Sequence, residues 1–260
     1  MNNDENRYKR PKNLDEFKSL LSEPINLEIL AGGAFSPPKL EPAAVFVDIQ
    51  DIGVDRIEKM GDTLRVGAAA RLQQIMEADI GLDELRVPLT LEAAANVRSS
   101  LSLLNFLGSA DSRSPFLAAL MAFAPELEMT PSGKLIPLER YLRVPAEGER
   151  DFPLWMRLHL PVGFAWEYIA RTPKDRPIIS LAVSRKKDGG FRVVCGGDES
   201  FPRVIEQKTT AETLFALVRQ AFEASGDAWA SAEYRQEMSQ VLLSRCLQRL
   251  EVNALRKEER

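Results

Sequence analysis

The sequence predicts an α+β protein built in two parts, and three observations carry that reading. Strand-like alternation and helix-like periodicity follow one another through the first half of the chain. A polar, proline-bounded stretch, Val144-Pro-Ala-Glu-Gly-Glu-Arg-Asp-Phe-Pro153, then interrupts the pattern as a domain boundary does. Beyond it, four strand-like runs give way to two amphipathic helices, the pattern of a small antiparallel sheet backed by helices.

Asn13-Leu-Asp-Glu16 opens a helix over residues 13–22, with an asparagine cap, a glutamate three residues on, and Phe17, Leu20 and Leu21 as its apolar stripe. Residues 26–30 alternate as a strand that runs into Ala31-Gly-Gly33, and 45–49 read as a second, more buried strand. Short strands near 55–59 and 63–67 flank Met60-Gly-Asp62, a composition suited to a tight hairpin. Helical patterns follow near 71–78, 89–97 and 115–123, and a second hairpin is expected around Pro131-Ser-Gly133, between strands at 126–129 and 134–136. These elements make a first domain over residues 1–143, in two subdomains divided near residue 53.

The second domain is expected over 152–260, with strands near 154–160, 164–170, 178–185 and 192–195. Thr209-Thr-Ala-Glu212 is a capping box for a helix whose Leu214, Val218, Ala221 and Phe222 share one face. A last helix from Ser231 repeats apolar residues every four positions at Met238, Leu242, Cys246 and Leu250.

The composition excludes several function classes. With 260 residues, 45% of them hydrophobic and 28% charged, the chain has material for one large or two modest globular domains. Its formal net charge of -4 and its short basic clusters, Arg185-Lys-Lys187 and the tail with Lys257 and Arg260, argue against nucleic acid. No apolar run approaches the roughly 20 residues of a membrane span, and the polar start lacks the apolar core of a secretory signal, so a cytoplasmic location is expected. Cys195 and Cys246 stand far apart without partner ligands and read as buried small hydrophobes. The one histidine, His159, has no recognisable orienting partner, and no nucleophile, general base or metal set emerges by spacing. Trp155, Trp166 and Trp229 fit cores or subunit contacts.

Seven pieces, taken in order, carry a resemblance that no one of them carries alone. They are Leu30-Ala-Gly-Gly33, Val47-Asp-Ile49, Leu64-Arg-Val-Gly-Ala-Ala69, Leu135-Ile-Pro-Leu-Glu-Arg-Tyr141, Cys195-Gly-Gly197 with Pro202-Arg203, Asp227-Ala-Trp-Ala-Ser-Ala-Glu-Tyr-Arg235 and Val241-Leu-Leu-Ser-Arg-Cys-Leu247. Together they resemble the FAD-binding middle subunit of the molybdenum hydroxylases, the family of xanthine dehydrogenase and aerobic carbon monoxide dehydrogenase. The resemblance implies a two-part FAD-binding domain of the p-cresol methylhydroxylase type, followed by a smaller domain of sheet and helices. It also implies that bound FAD takes electrons from a molybdopterin-binding subunit through an iron-sulfur subunit and delivers them to an acceptor.

A dinucleotide's diphosphate can be held without basic side chains only where several backbone N-H groups converge, and glycines permit the positive φ and close approach this needs. Gly32 and Gly33, after a strand, suit the purpose. By the resemblance, the cofactor-binding residues are Ala31, Gly32, Gly33, Ala34 and Ser36 in a first loop, Ser102, Leu103 and Asn105 in a second, and Asp111 beyond it. The chain also departs from the family pattern. Ala34 and Phe35 replace polar residues, and the family's Thr-Ile-Gly-Gly-Asn falls on Ser102-Leu-Leu-Asn-Phe106, where positive φ would strain Leu104. A family aspartate falls on Pro115 and a lysine on Tyr168, with Asp111 and Arg98 available as replacements. Two main readings follow: an FAD-binding electron-transfer subunit, or a structural or assembly subunit that keeps the fold without FAD. A third would reuse the groove for a small ligand between Phe35 and Phe106.

Overall fold

The computed structural model describes residues 7–32, 45–78, 83–143, 151–198, 201–208 and 211–258. They belong to two units: Met1–Ile80, Ala94–Ser109 and Glu126–Leu158 form one, and Gly81–Ala93, Ala110–Pro125 and His159–Arg260 form the other.

In the first unit, β1 (Tyr8–Lys9), β2 (Leu27–Leu30) and β3 (Val45–Asp48) make a parallel sheet in the order β1-β3-β2. The helix between β1 and β2, α1 (Leu14–Ser22), starts as its sequence requires. Asn13 accepts the Glu16 N-H at 2.9 Å, while the Glu16 carboxylate accepts the Lys12 N-H at 2.8 Å. Phe17 and Leu21 drop from α1 into a core with Ala31, Val47, Ile49, Val54 and Leu154. A five-stranded sheet completes the unit, built from β4 (Ile57–Met60), β5 (Thr63–Gly67), β6 (Glu126–Thr130), β7 (Leu135–Pro137) and β8 (Phe152–His159) in the order β4-β5-β8-β6-β7. Both expected hairpins are present, as β4-β5 and β6-β7. At the end of β5, Gly67 lets the chain pass so close to Val54 that a Cβ would lie 2.1 Å from the Val54 carbonyl oxygen.

Short helices α2 (Leu72–Glu77), α4 (Ala95–Arg98), α5 (Leu103–Ser109) and α7 (Leu138–Arg143) also belong here. Their counterpart in the second unit is α3 (Arg86–Glu92), which follows a 3-10 turn at Asp83–Leu85. The single helix expected over 89–97 is therefore two helices, α3 and α4. Ala93 and Ala94 between them are extended, at φ -156° and ψ 154° and at φ -63° and ψ 157°. The break occurs where the chain leaves one unit for the other, and Glu92 turns its carboxylate to the start of α6 (Pro115–Met121). There it accepts from Ser114 Oγ at 2.5 Å and from the Phe116 N-H at 3.1 Å.

The second unit is organised on an antiparallel sheet of β9 (Gly163–Ile169), β10 (Ile179–Arg185), β11 (Phe191–Gly196) and β12 (Arg203–Gln207), in the order β12-β11-β10-β9. Central strand β10 is buried from Ile179 to Ser184, on both faces of the pleat. Leu181 and Val183 face a core with Leu214 and Val218 of α8 (Ala211–Gln220), Phe222 in the turn after it, and Leu242, Leu243 and Cys246 of α9 (Ala232–Glu258). On the opposite parity, Ser184 Oγ donates to the Ala122 carbonyl at 2.7 Å, just past α6. Both cysteines are free and buried, and burial pushes the Cys195 thiol up to about 12.

Arg235 holds this unit together from within. Its side chain is 0% exposed and donates to the carbonyls of Ile178 at 3.1 Å, Ala230 at 3.3 Å and Ser225, and to Asp227 Oδ2 at 2.8 Å. The Asp227-to-Arg235 motif is thus an architectural one. Among the described residues, no helix is long and apolar enough to cross a membrane.

Candidate functional site

Strand β2 delivers Leu30 to Ala31, whose methyl is fully buried in the core, and the chain then turns at Gly32 with φ +68°. Gly33, Ala34, Phe35 and Ser36 lie outside the described residues. A Cβ at Gly32 would stand 2.4 Å from Arg71 Nη2 and 2.7 Å from Gln50 Oε1, so the turn needs glycine for its conformation and for its bare Cα.

Parallel strand β3 brings Asp48 and Gln50 alongside. Asp48 is 5% exposed, accepting from Tyr8 Oη at 2.7 Å, from the Gln50 N-H at 3.0 Å and from Gln50 Nε2 at 3.0 and 2.9 Å. Desolvation pushes its carboxyl up, but these hydrogen bonds win and hold it below the usual carboxylate range. Since Gln50 spends its amide nitrogen on Asp48, its oxygen faces Arg71 and accepts from Nη2 at 3.1 Å. Arg71 Nη1 donates to the Ser100 carbonyl, in the turn that leads to the second loop.

That second loop is not a glycine-like turn but the start of α5. Leu104 carries no positive φ, because Ala124, at 45°, holds the one such value among described non-glycine residues, so the expected strain is absent. The first N-H groups of α5 are all engaged. Leu103 donates to Ala70 O at 2.8 Å, Leu104 to Ala68 O at 2.9 Å, Asn105 to Ser102 Oγ at 3.3 Å and Phe106 to Ser102 O at 2.9 Å. Ser102, Leu103 and Phe106 are buried, so the Ser102 hydroxyl works as a helix cap and the Phe106 ring as core. Asn105 instead reaches across to the first loop and donates from Nδ2 to Gly32 O at 2.8 Å.

Of the nine residues expected at the cofactor, the structure joins Gly32 and Asn105 directly, with Ala31, Ser102 and Leu103 as their buried supports. Asp111 belongs to the second unit, where Arg176 takes both its carboxylate oxygens at 2.9 and 2.6 Å. Arg98, the other suggested replacement, is 6% exposed and bound to Gln73 Oε1 at 2.9 Å. Pro115 is the first residue of α6, and Tyr168 stacks on Trp166 with centroids 4.7 Å apart. The sequence reading missed Arg71 and Gln50. Its available signal was an arginine directly before a helix, where a short polar cap is usual.

The family model for the FAD binding domain in molybdopterin dehydrogenase matches residues 4–153. The chain belongs to that family. It is thereby an FAD-binding-type subunit of a molybdenum-hydroxylase-like oxidoreductase, and FAD is the cofactor its family calls for. Among solved structures, it is similar to reconstituted CO dehydrogenase from Oligotropha carboxidovorans, with a TM-score of 0.75, 20% identity, and 97% of this chain and 99% of that chain covered. Quinoline 2-oxidoreductase from Pseudomonas putida 86 gives a TM-score of 0.74 at 16% identity, covering 95% and 97%. A curated relative, the uncharacterized protein YgfM of Escherichia coli K12, is 23% identical over 223 residues, covering 82% of this chain and 84% of its own. The expected α+β fold is the fold of these structures.

Against a dinucleotide, the two loops of this family member differ. In the described part of the first, a positive-φ glycine lets a guanidinium lie directly against the turn. The second supplies no spare backbone donors, so what it can offer is the Asn105 side chain.

Proposed function

We propose that this chain is the flavin-holding, electron-transferring subunit of a larger oxidoreductase whose substrate is transformed on another subunit. The supporting observation is the glycine turn at Gly32, braced by Asn105 and flanked by Arg71, inside a chain of the FAD-binding family. Gly32 lets the Arg71 guanidinium lie directly against the turn, Asn105 fixes the carbonyl side of the turn, and Gln50 and Ser100 aim the arginine. When bound, FAD supplies the redox chemistry, and the protein's task is to hold and orient it.

The resemblance implies a molybdopterin-binding and an iron-sulfur partner and xanthine dehydrogenase-like relatives, which we include in the proposal together with the cytoplasmic location expected from the sequence. We also propose that function divides along the sequence into an FAD-binding part over 1–143 and a C-terminal part over 152–260. The absorbance spectrum of the freshly purified and desalted protein tests the central claim. Flavin bands at one per chain, with a melting temperature that rises on adding FAD, are expected. Neither appearing would overturn it in favour of a subunit that keeps the fold alone.

A further inference from the structure

We infer that Arg71 is the diphosphate-binding cation of this chain, a side chain that supplies the anion contacts the engaged N-H groups of residues 103–106 cannot. The inference rests on the reading of the site as a dinucleotide site. Its first ground is position: the Arg71 guanidinium lies against the bare Cα of Gly32, where a Cβ would meet it at 2.4 Å.

Its second ground is an incomplete charge balance. A guanidinium has five N-H donors. Among the described residues, that of Arg71 uses them on two neutral acceptors, the Ser100 carbonyl and Gln50 Oε1, and has no carboxylate partner. Four other cations of the same unit have carboxylate partners: Arg10 and Lys12 share Asp51, and Arg65 and Arg157 share Glu128. A partly buried charge held only by neutral groups is electrostatically unfinished until an anion arrives. The fork is nonetheless fixed in direction, because Asp48 orients the Gln50 amide that orients Arg71.

The third ground is need. With the N-H groups of residues 103–106 committed to Ala70, Ala68 and Ser102, a diphosphate beside these loops cannot draw on that backbone. An arginine fork is the side chain best suited to replace it, since it can give two parallel hydrogen bonds to phosphate oxygens.

The test is equilibrium titration of the full chain and its Arg71→Met and Arg71→Lys variants with FAD, ADP and riboflavin, at low and high salt. ADP carries the diphosphate without flavin, and riboflavin the flavin without phosphate. Arg71→Met should weaken FAD and ADP by about ten- to a hundredfold, leave riboflavin unchanged and flatten the salt dependence. Arg71→Lys should recover part of the loss, and matching circular dichroism spectra would show that the variants fold. Equal FAD and ADP affinity in wild type and Arg71→Met, with equal salt dependence, would reduce Arg71 to a structural tie. A wild type that binds ADP through Arg71 but not FAD would support Arg71 and overturn the flavin reading. Binding of neither would overturn both.

Discussion

Asn105 Nδ2 donates to the carbonyl oxygen of Gly32 at 2.8 Å, across 73 residues of sequence. The bond ties the glycine turn at Gly32 to the first turn of α5, so the two segments form one structural object.

Replacing Gly32 by alanine should be costly, since φ +68° is unfavourable for a side chain and the new Cβ would collide with Arg71 Nη2 and Gln50 Oε1. We expect a loss of about 1 to 3 kcal/mol, read as a lowered urea midpoint with unchanged slope. Asn105→Ala should lose less, about 1 kcal/mol, because it removes one part-buried hydrogen bond and introduces no clash.

Restoring a family glycine by Leu104→Gly should not restore phosphate binding. The N-H at that position is already donated to Ala68 O at 2.9 Å, and removing the side chain frees no donor. FAD affinity should stay within about twofold, while stability drops by about 1 kcal/mol or more from the glycine alone. A tenfold gain in affinity, on the order of 1.4 kcal/mol, would show that α5 opens in solution.

Arg235→Met should be the most damaging single change in the C-terminal unit. It strips hydrogen bonds from the Ile178, Ser225 and Ala230 carbonyls and leaves Asp227 without its cation, for an expected loss of about 3 to 5 kcal/mol. Desolvation pushes Asp227 up, but hydrogen bonds from Arg235 and from the N-H groups of Trp229 and Ala230 outweigh it and hold its carboxyl below the usual range. A lowered folded pKa gives stability that is present above the ordinary aspartate value and lost as pH falls through the lowered one. Acid denaturation monitored by circular dichroism should therefore show a smaller pH-dependent component in Asp227→Asn than in wild type.

Glu92 has the opposite sign. Desolvation raises its carboxyl above the ordinary glutamate range despite hydrogen bonds from Ser114 and Phe116. Its contribution is full below the ordinary glutamate value and declines as pH rises through the raised one. Glu92→Gln should consequently gain stability relative to wild type as pH rises above the ordinary glutamate value, compared by urea midpoints. Glu92→Ala, which leaves the Ser114 hydroxyl and the Phe116 N-H without this acceptor, should lose about 1 to 2 kcal/mol throughout.

By itself, the sequence determined which segments are strands and helices wherever local chemistry is decisive. The Asn13 cap, the Gly61 hairpin and the four-residue spacing of α9 each lie within a few neighbouring residues, and the order of the family pieces is read directly along the chain. Nearby sequence also holds the apolar positions Leu103, Phe106 and Leu107, which mark α5 as a helix, although alignment to a glycine loop drew the reading elsewhere.

Only the tertiary structure decided where hydrogen-bond donors end up. Whether the Leu103 and Leu104 N-H groups are free depends on the Ala70 and Ala68 carbonyls, more than 30 residues away, and whether Arg71 faces Gly32 depends on Gln50 and Asp48 from a neighbouring strand. Hydrogen bonds are satisfied by partners in space, and spacing along the chain does not encode those partners.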